Sequence, residues 1–187
     1  RKAPQVAEYS IRKTYGRLLE MFEKAFEKAN PLFTLPIYYP LHWCIGPDKT
    51  IDPLEEGRQK QVVGLIRTNF LKRFESSVAA FEFSCGRLLQ KLLAFLEVHS
   101  ESDSEKKRLF RWKSQNAEAL GYAAQRRLEF WGESEEELEE EDIVPLDMLN
   151  SIEKLDRSEY DVAEMMNETV LDLDEIVKFI VEARRFE

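Results

Sequence analysis

The sequence predicts an all-α fold, a helical bundle built around one long central helix with an extended, proline-containing connector. Three observations carry that expectation. Gly and Pro are scarce, at 7 each in 187 residues, which disfavours a fold of many short strands and tight turns. Apolar side chains recur at steps of three and four over most of the chain. Charged residues make up 34%, as solvated outer helix faces require. The 43% hydrophobic and 11% aromatic content can fill a core, which excludes a wholly disordered chain.

The first helix is expected from Val6 to Ala29, with Tyr15, Leu18, Leu19, Phe22 and Phe26 on one face. Asn30-Pro31 stops it, because the residue before a proline is pushed out of the α region. Leu32 to Ile45 is apolar and aromatic with Pro36 and Pro40 inside, a spacing that excludes a helix and leaves at most a short edge strand. An extended connector closing in a turn at Gly46-Pro47-Asp48 is expected there.

Asp52-Pro53 supplies an N-cap and a first-turn proline. The long element follows, from about Leu54 to Val98. Val63, Ile66, Phe70, Phe74, Val78, Phe81, Cys85, Leu88, Leu92 and Leu96 step by three or four without a break. Unbent, it would run on the order of 65 Å at ~1.5 Å per residue. Gly64, Ser76-Ser77 and Gly86 are the places where it can bend or split. A second stripe (Val62, Leu71, Leu89, Leu93) predicts packing on more than one side.

After a polar loop at 100–104, Ser104-Glu105 can open a helix that runs to about Trp131, through Leu109, Trp112, Leu120, Leu128 and Phe130. Gly132 ends it. Past Pro145, shorter helices are expected over Leu146–Leu155, Ser158–Val170 and Asp174–Phe186, the last capped by Asp174 and favoured at its end by Arg184-Arg185. The organisation is thus a helical body over 1–132, an acidic linker over 133–144, and C-terminal helices over 145–187 packing on the body.

The formal net charge is −9, yet eight of the ten residues from Glu133 to Asp142 are acidic, and without them the remainder is near −1. That run reads as a solvated linker, or else as an arm that mimics nucleic-acid phosphate or screens a basic surface. Two cysteines, Cys44 and Cys85, are too few for a disulfide framework and suit a reducing cytoplasm. No apolar run approaches the ~20 residues of a membrane span, and Arg1–Glu8 does not resemble a signal peptide. The chain opens without Met, as a piece of a longer protein would.

Catalytic patterns are missing from the sequence. It has no Gly-rich phosphate loop and no dinucleotide fingerprint. His42 and Cys44 lie close together without further ligand types beside them, and His99 is the other imidazole. Asp172 and Asp174 read as helix caps. No cofactor is expected in this chain. The positive signal is basic charge. Arg58, Lys60, Arg67, Lys72 and Arg73 fall in a stretch without acids, and 106–127 holds seven basic residues against Glu118 alone. Phosphate backbones reward such local charge whatever the overall balance.

The segment Gly64-Leu65-Ile66-Arg67-Thr68-Asn69-Phe70-Leu71-Lys72-Arg73-Phe74-Glu75-Ser76-Ser77, continuing Val78-Ala79-Ala80-Phe81, resembles a run found between the two RecA-like motor lobes of bacterial Snf2-like ATP-dependent helicases. The typical form there is a Leu-rich helix ending Leu-Lys-Arg-Leu-Glu-Ser-Ser, and Phe74 replaces its last Leu. Tyr38-Tyr39-Pro40 is similar to an element that precedes that run. The close match covers about a tenth of the chain. It implies a non-catalytic helical insertion, with ATP and Mg held by lobes outside this chain. The insertion would brace those lobes and help shape a nucleic-acid path, DNA favoured. Under that reading Arg67, Lys72 and Arg73 touch phosphate or the adjoining lobe, Glu75 pairs with a neighbouring Arg or Lys, and Ser76 and Ser77 admit another backbone where the helix turns.

A stand-alone protein-interaction module with an acidic arm is the alternative. Exposure of Phe74 and Phe81 would favour it, by marking a groove for a partner helix. A small enzyme would need a deep pocket with convergent polar groups. Chain ends that meet on one side would suit an insertion.

Overall fold

The computed structural model describes residues 11–25, 27, 33–46, 51–131 and 146–186, and within them the protein is an all-α bundle. The acidic run at 133–144, the Asn30-Pro31 stop and most of the turn expected at Gly46-Pro47-Asp48 lie outside the described residues. The helices are α1 (Ile11–Ala25), α2 (Pro53–Ser76), α3 (Val78–His99), α4 (Asp103–Gln115), α5 (Ala117–Trp131), α6 (Leu146–Asn150) and α7 (Val162–Ala183). No described helix is long and apolar enough to cross a membrane.

The expected long central helix is two helices. It breaks at Ser77, whose backbone is extended (φ −166°, ψ 151°). Its hydroxyl accepts the Ala80 N–H at 3.1 Å, which caps α3, while its own N–H closes α2 on the Arg73 carbonyl at 3.0 Å. A serine side chain can satisfy an orphan amide at a new helix start, so the helix stops and restarts with little loss. The apolar phase continues across the break, and α2 folds back along α3 so that Ile66 and Phe70 line the same groove as Leu88.

α3 is the hub, packed by α2, α4, α5, α6 and α7. Its Leu89, Leu92, Leu93 and Ala94 are fully buried, in keeping with an apolar stripe wider than one face. Of the second stripe expected from sequence, Leu89 and Leu93 are core, whereas Val62 and Leu71 are substantially exposed at 40% and 38%. The α1–α2–α3–α7 core is aromatic. Phe22 stacks on Phe74 with centroids 5.8 Å apart, and Phe81 meets Phe74 and Phe179 edge-on at 5.5 Å each. Such pairs add to area burial because ring edges and faces carry opposite partial charge.

α7 corrects the expectation of separate C-terminal helices. It runs unbroken for 22 residues from an Asp161 cap, so Asp172 and Asp174 are mid-helix rather than caps. Asp174 instead accepts the Trp112 indole N–H at 2.7 Å and ties α4 to α7. The single helix expected from Ser104 to Trp131 is also divided, at Asn116. It starts from a reciprocal capping box between Ser102 and Glu105.

The connector is more compact than predicted. Pro36 and Pro40 each open a short 3-10 turn (Pro36–Tyr38, Pro40–Trp43), since a fixed φ and a missing N–H suit a first helical position. Trp43 accepts the Asp161 N–H at 2.8 Å and Ile45 donates to Glu159 at 2.9 Å, which pins the connector beside the start of α7. At its other end, Tyr15 of α1 meets Phe186 just past α7, centroids 4.8 Å apart.

Candidate nucleic-acid interface

The run Leu71 to Ser77 forms the corner between α2 and α3. Phe74, 4% exposed, anchors it in the aromatic core, and the remaining residues face outward. Lys72, Arg73, Glu75, Ser76 and Ser77 are all exposed. No carboxylate among the described residues pairs with Lys72 or Arg73, and Glu75 has no cationic partner among them. Ser77 has a definite structural task, the cap of α3.

The first basic cluster is smaller than its composition indicates. Arg58 pairs with Glu55 at 3.4 Å and Lys60 with Glu56 at 2.7 Å, both acids lying just upstream of the acid-free stretch. Glu56 also accepts the Tyr39 hydroxyl at 2.5 Å, so this pair ties the connector to α2. Arg67 turns inward and donates to the Phe33 carbonyl at 2.9 Å. Its Nε is buried with no partner among the described residues. Burial lowers the guanidinium pKa, against the opposing field of Asp172. Half-buried Arg67 therefore ties α2 to the connector.

Asp172 sits across from it with no exposed surface. One carboxylate oxygen accepts the Thr34 N–H at 2.9 Å and the other the Leu35 N–H at 2.7 Å. Leu35 holds a left-handed backbone (φ 50°), a costly conformation for a branched side chain. Burial pushes the Asp172 carboxyl up to about 7, although both amides pull the other way. No sequence signal separates this residue from an ordinary helical acid; only the fold brings the connector's amides to it.

Two cations of the second basic cluster are paired with acids. Lys113 pairs with Glu97, and Arg126 reaches buried Glu82 at 3.3 Å. Arg108 donates to Asn167 at 2.5 Å. Lys106, Lys107 and Arg111 remain on the open face of α4.

A group of cations missed from the sequence lies inside the α2–α3 angle. A groove of about 350 Å³ runs between the helices. α2 supplies Asn69 and Arg73 to it, α3 supplies Ser84, Arg87 and Lys91, and Tyr38 of the connector closes one side. Lys91 Nζ lies 4.7 Å from the Tyr38 ring centroid. Burial lowers the Lys91 pKa, and neighbouring Arg87 lowers it further. Burial raises the Tyr38 phenol, and Arg87 partly offsets this. The signal in the sequence is a basic pair four residues apart, Arg87 and Lys91, with no acid between Glu82 and Glu97.

His42 is exposed, Cys44 half-buried and Cys85 wholly buried, where burial drives its thiol well above the usual range. Among the described residues no His, Cys, Asp and Glu side chains group as a metal site would need. Phe74 and Phe81, whose exposure would mark a partner groove, are both core residues. No family model, no curated protein and no solved structure matches the chain.

Proposed function

We propose that this chain is a non-catalytic helical insertion of a Snf2-like ATP-dependent helicase or translocase, which braces the two motor lobes and lines part of the nucleic-acid path. ATP and Mg belong to the lobes, and the setting is cytoplasmic. The observation that carries the reading is the corner at 71–77. The residues that resemble the inter-lobe run are the ones that turn the chain, with Phe74 buried as the anchor and Lys72 and Arg73 left on the outside. A rigid corner presents two cations at a fixed place, which is what contact with a phosphate backbone needs.

Two further features agree with it. The Tyr15–Phe186 contact holds α1, the first described helix, beside the end of α7, an arrangement that suits a bundle hung between two lobes. Leu54 and Leu65 of α2 are 63% and 60% exposed and offer an apolar surface for a lobe to cover. The interaction-module alternative loses the feature that would have favoured it, since Phe74 and Phe81 are inside.

The test is binding of the chain to a labelled DNA duplex across a salt series, beside Lys72→Ala/Arg73→Ala. Affinity should fall with salt, and the variant should lose about two units of the log–log salt slope, roughly one per phosphate contact. Absence of binding at the lowest salt overturns the nucleic-acid role and leaves only the brace.

A further inference from the structure

The α2–α3 groove is cationic in a way that internal packing does not account for. Arg87 and Lys91 sit four apart on α3, one turn above the other, and like charges at that spacing destabilise a helix. Arg73 joins them from the facing wall. No carboxylate among the described residues pairs with any of the three. Arg58, Lys60, Lys113, Arg126, Arg157, Lys178, Arg184 and Arg185 pair with acids, while Lys72, Lys107 and Arg111, without a carboxylate partner among the described residues, stand on open helix faces rather than around a shared cavity. Three cations around one cavity, two of them already repelling each other, form a site that gains when an anion arrives.

The polar lining fits an oxyanion rather than a carboxamide or a cation. Asn69 adds a neutral donor between the charges, the Ser84 hydroxyl is donated to the Ala80 carbonyl at 2.9 Å, and the Tyr38 ring face holds the Lys91 ammonium 4.7 Å from its centroid. A volume of about 350 Å³ holds roughly ten waters, enough for a phosphate group with the sugar beside it. Ile66, Phe70 and Leu88 form the floor and lower the local dielectric, which strengthens each charged hydrogen bond made above them.

We infer that the groove between α2 and α3 is a phosphoester-binding site, in which Arg73, Arg87 and Lys91 hold one phosphate and Asn69 donates to a neighbouring oxygen. Resting on the nucleic-acid reading above, it takes a backbone phosphate of a bound strand; a free sugar phosphate carries the same chemistry. Arg73 is then shared between the outer corner and the groove, while Arg87 and Lys91 belong to the groove alone.

The experiment uses the full chain, Arg87→Gln/Lys91→Gln, and Arg87→Gln alone, with circular dichroism melts confirming the fold of each. Affinities are measured for a labelled single strand, a labelled duplex and ribose 5-phosphate. Because Arg87 is exposed, the single variant keeps the test valid if the double one fails to fold. The double variant should bind the strand at least tenfold more weakly, and the single one about threefold. Strand binding unchanged within twofold in both variants, but lost in Lys72→Ala/Arg73→Ala, overturns the groove and leaves the outer corner as the contact. Binding of ribose 5-phosphate that the variants abolish, with no binding of strand or duplex, supports the groove and overturns the nucleic-acid reading. No binding of any of the three overturns both.

Discussion

The Asp172 clasp makes a prediction about pH that runs against the usual behaviour of carboxylates. Its carboxyl is wholly buried, and burial raises it from an ordinary value of 3.8 to about 7. Between those two values the folded state keeps a proton that the unfolded chain has released. Stability from this group is therefore complete at and below pH ~4, declines as pH rises towards 7, and is level above that. At about 1.4 kcal/mol for each pH unit of separation, the loss is on the order of 4 kcal/mol. Other groups titrate in the same range with the opposite sign. Burial depresses His99, whose neutral Nε2 accepts the Leu155 N–H at 2.9 Å, so its contribution is complete above 6.5 and is lost as pH falls from there through the lower folded value. Burial alone would raise Glu105, but the Ser102 amide, Arg157 and the Glu101 amide hold it at about 2, so its contribution is lost only below 4.5. The clean measurement is therefore a difference. Urea unfolding of the wild type and of Asp172→Asn at pH 4.5, 6 and 8 cancels the shared groups. The stability of wild type minus variant should fall by about 3.4 kcal/mol from the lowest pH to the highest, about 2.5 pH units at ~1.4 kcal/mol each, equivalent to roughly 10 °C in melting temperature for a chain of this size. A difference that stays flat, or rises with pH, refutes the reasoning. It would mean that the Thr34 and Leu35 amides keep the carboxylate ionised in spite of its burial.

Two further outcomes follow from single contacts. Phe74→Ala removes a ring packed on Phe22, Phe81 and Tyr15 and should destabilise by about 3–5 kcal/mol in urea unfolding, as large-to-small core changes do. Arg67→Met removes the hydrogen bond to the Phe33 carbonyl and should cost about 1.5–3 kcal/mol while leaving the affinity for a duplex unchanged, the reverse of the pattern expected for Lys72 and Arg73.

Helix type was legible in the sequence because period is a local property. The stripe from Val63 to Leu96 places Val63, Phe70, Phe74, Phe81, Cys85, Leu88, Leu92 and Leu96 in the core. It cannot say whether the helix is one or two, because a capped break that preserves the phase leaves the stripe intact. Ser76-Ser77 was one of three possible break points, and what selects it is Ser77's capping bond together with the gain from folding α2 onto α3. The division of α7 failed for a related reason. Asp172 and Asp174 resemble caps in sequence, and only the connector's amides and the Trp112 indole, brought from distant parts of the chain, make them tolerable mid-helix.

The same locality explains the charges. Glu55 and Glu56 lie one turn before Arg58 and Lys60 on the same helix and neutralise two of the five cations. A third, Arg67, donates to the connector's Phe33 carbonyl. What acts on a ligand is the uncompensated charge at one place, which a window of sequence does not measure. By that criterion, the stretch at 58–73 leaves Lys72 and Arg73 exposed without acids, and α3 adds Arg87 and Lys91. Arg73 links the two sets. It stands on the corner that resembles the inter-lobe run and also lines the groove that holds Arg87 and Lys91. A strand following the corner would thus meet three groove cations and Lys72 in succession along one edge of the α2–α3 angle, and the order in which their removal weakens binding would trace its path.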